Sequence, residues 1–399
     1  MKKKVLFVIN TLGGAGAEKA LLELLKKFSP DEYKVSLYVL LAQGELIHQL
    51  PEHVKVLNPE YCDASVLSKE GKRVLHRRVL KRLFQNGAVF KNALFLVKNS
   101  CSMIRKRKIA PDKLLWRVMS DSAEKIKGHY DMAIAYIEGG STYYVHDHVD
   151  ADKKFTFFHV DYSYAGYTRS LDKNCYLDFD RIFTVSDEVK KAFLAVYPEC
   201  QEKTYVFHNL IDQEEIKRKA LLPGGFEDDY DGTRILTVGR LTSQKAYELS
   251  IDAMKILKDH GAKVRWYVLG EGELRKKLQS QIDRLGLQED FLLLGAKENP
   301  YPYYAQCDLY VHATRFEGKS IAVQEAQTLG CTILVSDSSG NREQVIQGVD
   351  GAMCKLDPKS ISSAIENLIE NPEMCKEFGE KASMKLSAQD GDVLKLFEI

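Results

Sequence analysis

Apolar residues along this chain fall into short β-rich runs separated by stretches of helical spacing. Residues 4–9 form the first run, and Gly13-Gly14-Ala15-Gly16 follows it. A short, continuous apolar run marks a strand buried on both faces of a parallel sheet. Residues 18–28 carry apolar positions at helical spacing, and 34–41 return to strand. Strand, glycine loop, helix and strand make a βαβ unit, which implies a right-handed crossover and a parallel sheet. Further strands are predicted at 131–137, 155–160, 181–185 and 204–207, with Ser186 capping a helix that runs to 196.

Residues 212–232 break this rhythm. They hold a charged helix, then Pro223-Gly224-Gly225 and an acidic run, which is the composition of a linker. The alternation then restarts. Strands are predicted at 235–238, 264–269, 291–294, 309–312 and 332–336, and helices at 246–260, 273–285, 302–306 and 320–329. A helical pair begins near Pro358. The expected fold class is α/β, as two Rossmann-like, doubly wound domains at 1–211 and 233–399 facing across a cleft.

Two stretches of the second half carry chemistry. Val238-Gly239-Arg240 leads to Lys245, and Glu317-Gly318-Lys319-Ser320 leads to Glu325. Glu317 falls on a glycine-containing turn and Glu325 about two helical turns further on. Ionised carboxylates accept hydroxyl hydrogen bonds, while Arg and Lys supply fixed positive charge for phosphate oxygens. The amides of Lys319 to Ile321, at a helix start, favour an anion. Taken alone, each stretch also reads as a solvated loop or as acids complementing a helix dipole.

Together with Gly270-Glu271-Gly272, these motifs resemble the nucleotide-sugar half of the family 4 retaining glycosyltransferases, which have the GT-B fold. The resemblance is specific from about 235 to 351 and rests on layout alone before that. It implies that Glu317 meets the donor sugar, Glu325 the ribose, and Arg240 and Lys245 the diphosphate. Gly239, Gly270, Glu271, Gly318, Lys319 and Ser320 would complete the donor site, with Arg342 and Glu343 as weaker candidates. His159, where a strand ends, would position or polarise groups near the reacting carbon. Gly13, Gly14 and Gly16 would let backbone amides approach donor phosphate or acceptor. Their spacing is not Gly-x-Gly-x-x-Gly, which argues against a dinucleotide. The last helix of this fold returns to the first domain, and here that crossover looks short. Three departures stand out: Lys245 is followed by Ala246 rather than glycine, Gly318 by Lys319-Ser320 without proline, and Gly330 by Cys331-Thr332, again without proline.

Bulk properties change this picture in one place. The net charge is +1, yet residues 71–117 hold 14 Lys/Arg and one acid, a local charge of +13. Basic residues interleaved with apolar ones suit an interfacial helix on anionic lipid better than RNA, so nucleic acid is not expected as a partner. Eight scattered cysteines without a Cys-x-x-Cys pair fit a reducing cytosol. Asp-x-Asp occurs at Asp150/Asp152, Asp178/Asp180 and Asp229/Asp231. The tripeptide is cheap in an acid-rich chain, and neither a divalent metal nor another cofactor is expected.

The expected function is transfer of a sugar from a nucleotide sugar, UDP before GDP, to a saccharide or lipid-linked saccharide in cell-surface polysaccharide synthesis. The expected place is the cytoplasm, at the inner face of the plasma membrane. Two other readings stay open: a non-transferring sugar-nucleotide enzyme such as a UDP-GlcNAc 2-epimerase, and a non-catalytic sugar-nucleotide-binding protein.

Overall fold

The computed structural model describes residues 2–66, 68–107, 109–162, 165–386 and 393–397. Lys108 of the basic segment and the tail stretch Asp390-Gly391-Asp392, with Ile399, lie outside them. The chain divides into two compact units, one of residues 1–210 with 393–399 and one of residues 211–392.

In the first unit, β1 (Lys3–Ile9), β2 (Tyr33–Val39), β3 (Lys55–Val56), β4 (His129–Ala135), β5 (Asp150–Phe158), β6 (Arg181–Thr184) and β7 (Thr204–Val206) form one parallel sheet. Its order is β3-β2-β1-β4-β5-β6-β7. The second unit repeats the plan with β8 (Thr233–Val238), β9 (Val264–Leu269), β10 (Phe291–Gly295), β11 (Leu309–His312), β12 (Ile333–Ser336) and β13 (Ala352–Cys354). Its order is β10-β9-β8-β11-β12-β13, also parallel. Both sheets are doubly wound, and winding reverses at β1/β4 and at β8/β11. Ligands of such sheets bind outside the carboxyl ends of the strands at that switch.

The apolar runs form these strands because helices cover both faces. Val5, Leu6, Phe7, Val8 and Ile9 are fully buried, as are Ile235, Leu236, Val268 and Leu334. Each such side chain contributes about 1.5–3 kcal/mol on burial.

The segment 212–232 is not a linker. Asp212 caps the helix Gln213–Ala220 by accepting from the Glu215 amide. Asn299 Nδ2 donates to the Lys219 carbonyl at 2.9 Å and Gln306 Nε2 to the Gly224 carbonyl at 3.0 Å. Phe226 packs on Tyr267 and Tyr303. Asp228 accepts from Arg234, Arg265 and the Tyr267 hydroxyl. A flexible composition is overridden by one aromatic anchor and one carboxylate with two guanidinium partners. At the other end, Val393–Phe397 belongs to the first unit, where Phe397 packs among Phe28, Phe155, Phe157, Phe183 and Phe207.

The basic segment folds as α1 (Lys69–Phe84), α2 (Ala88–Lys91), α3 (Ala93–Arg105) and α4 (Pro111–Ser122). Not all of its cations are free. Arg78 donates to the carbonyls of Leu41 and Ala42, and Arg82 to that of Ser122. Phe90, Leu94, Val97, Cys101 and Ile104 stand exposed at helical spacing, Leu94 at 88 %. Among the described residues no helix is long and apolar enough to cross a membrane.

Candidate active site

The second unit gathers its charged residues at the carboxyl ends of β8 and β11, on either side of the switch. The loop after β8 crosses the loop after β9 at close range. The Gly239 amide donates to the Leu269 carbonyl and the Leu241 amide to the Glu271 carbonyl. Gly270 has φ +155, and a Cβ there would stand 1.9 Å from the Gly239 oxygen, so only glycine permits the crossing. Arg240 is exposed beyond it and Glu271 pairs with Arg275 at 2.8 Å.

Lys245 ends a short turn, Ser243–Lys245, and Ala246 after it is left-handed at φ 45. The turn directs the ammonium onto the loop after β11. Lys245 Nζ donates to Glu317 Oε2 and lies 3.1 Å from His312 Nε2, which is 3.3 Å from the same carboxylate oxygen. Burial pushes the Glu317 carboxyl up, but Lys245 and His312 outweigh it and bring it down to about 2. Burial and the Lys245 charge depress His312 to about 4 against the opposing pull of Glu317. At neutral pH the cluster is therefore an ion pair beside a neutral imidazole. Gln244 ties the two loops together. It donates to the Phe316 carbonyl at 2.9 Å and its own carbonyl accepts from the Arg315 amide at 2.8 Å.

Three groups expected in the donor site already have protein partners. The Ser320 amide donates to Gln344 Oε1 at 2.6 Å, so this part of the helix start is already satisfied by the protein. Glu325 is 3 % exposed and accepts from the hydroxyls of Tyr301 at 3.1 Å and Tyr304 at 3.2 Å. Arg342 pairs with Asp337. Gly318 is buried, with the helix Ser339–Gln344 pressed on it: a Cβ at Gly340 would lie 2.2 Å from the Gly318 oxygen. Lys319 is half-buried and Glu343 follows Arg342 on that same helix.

In the first unit, His159 follows β5. Its amide donates to Glu138 Oε2 at 3.0 Å and its Nε2 lies 2.8 Å from the Tyr136 carbonyl. A carbonyl only accepts, so Nε2 carries the proton and Nδ1 keeps its lone pair. Nδ1 is buried without a partner among the described residues. Burial holds the ring down near 4 and raises the Glu138 carboxyl. Tyr162, in the loop after β5, meets the buried carboxylate of Asp172, which accepts from Tyr143, Tyr162 and Tyr197. Burial lifts Asp172 to about 6 against these hydroxyls and Arg117.

The glycine loop is only partly open. The Gly14 amide donates to Glu45 Oε1 at 3.0 Å, so the protein's own carboxylate takes the place expected for a phosphate. Gly13 is buried against Val66, while Gly14 and Gly16 are exposed. As for the Asp-x-Asp pairs, Asp150 and Asp152 face His129, Asp178 faces His146, Asp180 faces Lys153 and Asp231 faces Lys263.

Sequence reasoning missed His312, Glu138, Glu45 and the two tyrosines over Glu325. For His312 and Glu138 a signal existed: a polar residue at or just after an apolar strand on the ligand-binding edge.

Residues 218–385 match the family described as Glycosyl transferases group 1. The chain is 33 % identical over 191 residues to the N-acetylgalactosamine-N,N'-diacetylbacillosaminyl-diphospho-undecaprenol 4-alpha-N-acetylgalactosaminyltransferase of Campylobacter jejuni, covering 47 % of this chain and 50 % of that protein. It is 23 % identical over 207 residues to the poly(glycerol-phosphate) alpha-glucosyltransferase of Bacillus subtilis, covering 51 % and 30 %. The chain thus spans half or less of the length of these relatives. Among solved structures, HepE of Anabaena in complex with UDP and glucose superposes with a TM-score of 0.68 at 18 % identity, covering 99 % of this chain and 97 % of that one. A likeness at that identity is one of fold, and the fold is GT-B. The family match at 218–385 lies within the second unit, which also holds the charged cluster.

Proposed function

We propose that this chain is a retaining glycosyltransferase that moves a sugar from a UDP-sugar to a saccharide or lipid-linked saccharide. The observation that carries the reading is the contact of Lys245 with Glu317 at the β8/β11 switch, beside an exposed Arg240. Departure of a nucleoside diphosphate builds negative charge on phosphate oxygens, and Arg240 and Lys245 are fixed cations that answer it. Glu317 takes hydroxyls of the departing sugar. Glu325 takes the ribose hydroxyls beside those of Tyr301 and Tyr304, since a carboxylate offers about four lone-pair sites. His159, neutral with a free Nδ1 lone pair, is suited to accept a hydrogen bond from a sugar or acceptor hydroxyl. No metal or other cofactor takes part. The relatives' names describe α-linked products, which a retaining enzyme makes from an α-linked nucleotide sugar.

We also place the chain at the inner face of the plasma membrane. The exposed face of α3, with basic residues flanking it, fits an anionic lipid surface, where each free Lys or Arg contributes about 1 kcal/mol. Cations already bonded to carbonyls, such as Arg78, contribute less.

A panel of nucleotide sugars tests this reading, scored by thermal stabilisation and by UDP release with and without saccharide acceptors. A bound ligand near 100 times Kd adds about 2.7 kcal/mol. Acceptor-dependent UDP release with a glycosidic product supports the proposal. An isomerised sugar without acceptor indicates an epimerase, and stabilisation without turnover a binding protein.

A further inference from the structure

His312 lies within hydrogen-bond reach of both halves of the ion pair, yet no role follows for it from the motif. It is the last residue of β11 and 1 % exposed. Lys245 Nζ, which only donates, lies 3.1 Å from His312 Nε2, and Glu317 Oε2, which only accepts, lies 3.3 Å from it; taking the shorter approach as the bond puts a lone pair on Nε2. The imidazole proton then sits on Nδ1, 3.2 Å from the Tyr310 hydroxyl, which accepts it. The Tyr310 hydroxyl interacts with that of Tyr304, whose ring centroid is 5.2 Å away. The Tyr304 hydroxyl lies 3.2 Å from both Glu325 Oε2 and the Ala322 carbonyl, and its one proton serves either acceptor. A continuous path of polar contacts thus runs from Lys245 through His312, Tyr310 and Tyr304 to Glu325. Tyr310, Tyr304 and Glu325 are 0 %, 1 % and 3 % exposed, so no bulk water competes for these bonds.

The path matters because Lys245 and Glu317 occupy each other. On the functional reading above, on which this inference rests, a donor needs both: the ammonium for the diphosphate and the carboxylate for the sugar. When Glu317 turns to a sugar hydroxyl, Lys245 loses its main partner. We infer that His312 is a positioning residue that keeps Lys245 aimed at the diphosphate during this exchange, and that the Tyr310–Tyr304 chain links it to the carboxylate proposed for the ribose. The neutral state of His312 agrees, since a cationic ring would repel Lys245.

Binding of UDP and of uridine separates the parts. Uridine probes the ribose side alone, and UDP adds the diphosphate. In His312→Leu, UDP binding is expected to weaken about tenfold while uridine stays within about twofold. Gln places its amide oxygen near the Nε2 position and should accept from Lys245, so His312→Gln returns UDP affinity to within about threefold of the parent. His312→Asn reaches only the Nδ1 position and should not. Tyr310→Phe, which keeps the ring and removes one oxygen, should weaken UDP about threefold. Circular dichroism and melting temperature identify any variant that fails to fold, and Tyr310→Phe then stands in for it.

Equal losses of UDP and uridine in His312→Leu, or no advantage of Gln over Asn, overturn the positioning role. Full UDP affinity in Tyr310→Phe overturns the link to Glu325. Lys245→Ala separates this inference from the reading beneath it. If Lys245→Ala leaves UDP affinity unchanged, the diphosphate assignment fails. If Lys245→Ala loses affinity and His312→Leu does not, only the role of His312 fails.

Discussion

The two units hold their candidate groups in opposite electrostatic states. In the second, Lys245 and Glu317 are both ionised and paired. In the first, His159 is neutral, burial raises Glu138, and the exposed Gly14 amide is already bonded to Glu45. A site that must release a charged leaving group needs charge in place before reaction, because fixed dipoles and cations then cost no reorganisation. A site that receives neutral hydroxyls is better served by uncharged acceptors. On the proposed function, the same strand plan would serve two different chemistries, and the difference lies in the residues at the strand ends.

The comparison breaks most plainly in rates. Lys245→Ala or Glu317→Ala should lower UDP-releasing turnover by about 10² to 10³, or ~2.7–4 kcal/mol in the barrier. UDP affinity should fall with turnover in Lys245→Ala. His159→Ala should also lower turnover, yet leave UDP affinity as it was. Initial rates and calorimetric titration decide this, and equal UDP losses in His159→Ala and Lys245→Ala would erase the distinction.

Acid sharpens it next. His312 has a folded pKa near 4, below its usual 6.5, so the unfolded chain binds the proton first. Its contribution is complete above pH 6.5 and is lost as pH falls through 4. Asp172 runs the other way. Its folded pKa near 6 lies above the usual 3.8, so its contribution is complete below 3.8 and is lost as pH rises through 6. The stability of the parent relative to His312→Gln should thus shrink on going from pH 6.5 to 4, and that relative to Asp172→Asn should grow from pH 6 to 3.8. Each change is bounded by about 3 kcal/mol. Denaturant melts at matched pH measure both, and slopes of the same sign would contradict the assignment.

The smallest effect concerns Ala246. A left-handed alanine costs about 1–2 kcal/mol, partly offset by the greater unfolded freedom of glycine. Ala246→Gly should stabilise by about 0.5 kcal/mol in a thermal melt, with turnover unchanged.

The strands of both sheets were legible because parallel, doubly covered strands are apolar throughout, and boundaries mostly agreed within two residues. β3 and β13, of two and three residues, were not, although the equally short β7 was. The helices in the basic segment showed only as charge with apolar spacing. Arg240, Lys245 and Glu317 were found because the motif spells them out in charge and spacing. His312 was not: its place at the end of Leu309-Tyr310-Val311 is a signal, but a histidine there reads equally as core until its neighbours in space are known. The 212–232 segment misled for a related reason: Asp228 counted as one more acid in a run, while its partners Arg234 and Arg265 sit on two separate strands.

That anchored strap decides where the chain can be divided. A fragment beginning at 233 leaves two guanidinium groups with no counter-ion and strips the aromatic cover from Tyr267 and Tyr303. One beginning at 211 takes its own cover with it, so the second unit starts some twenty residues ahead of its first strand.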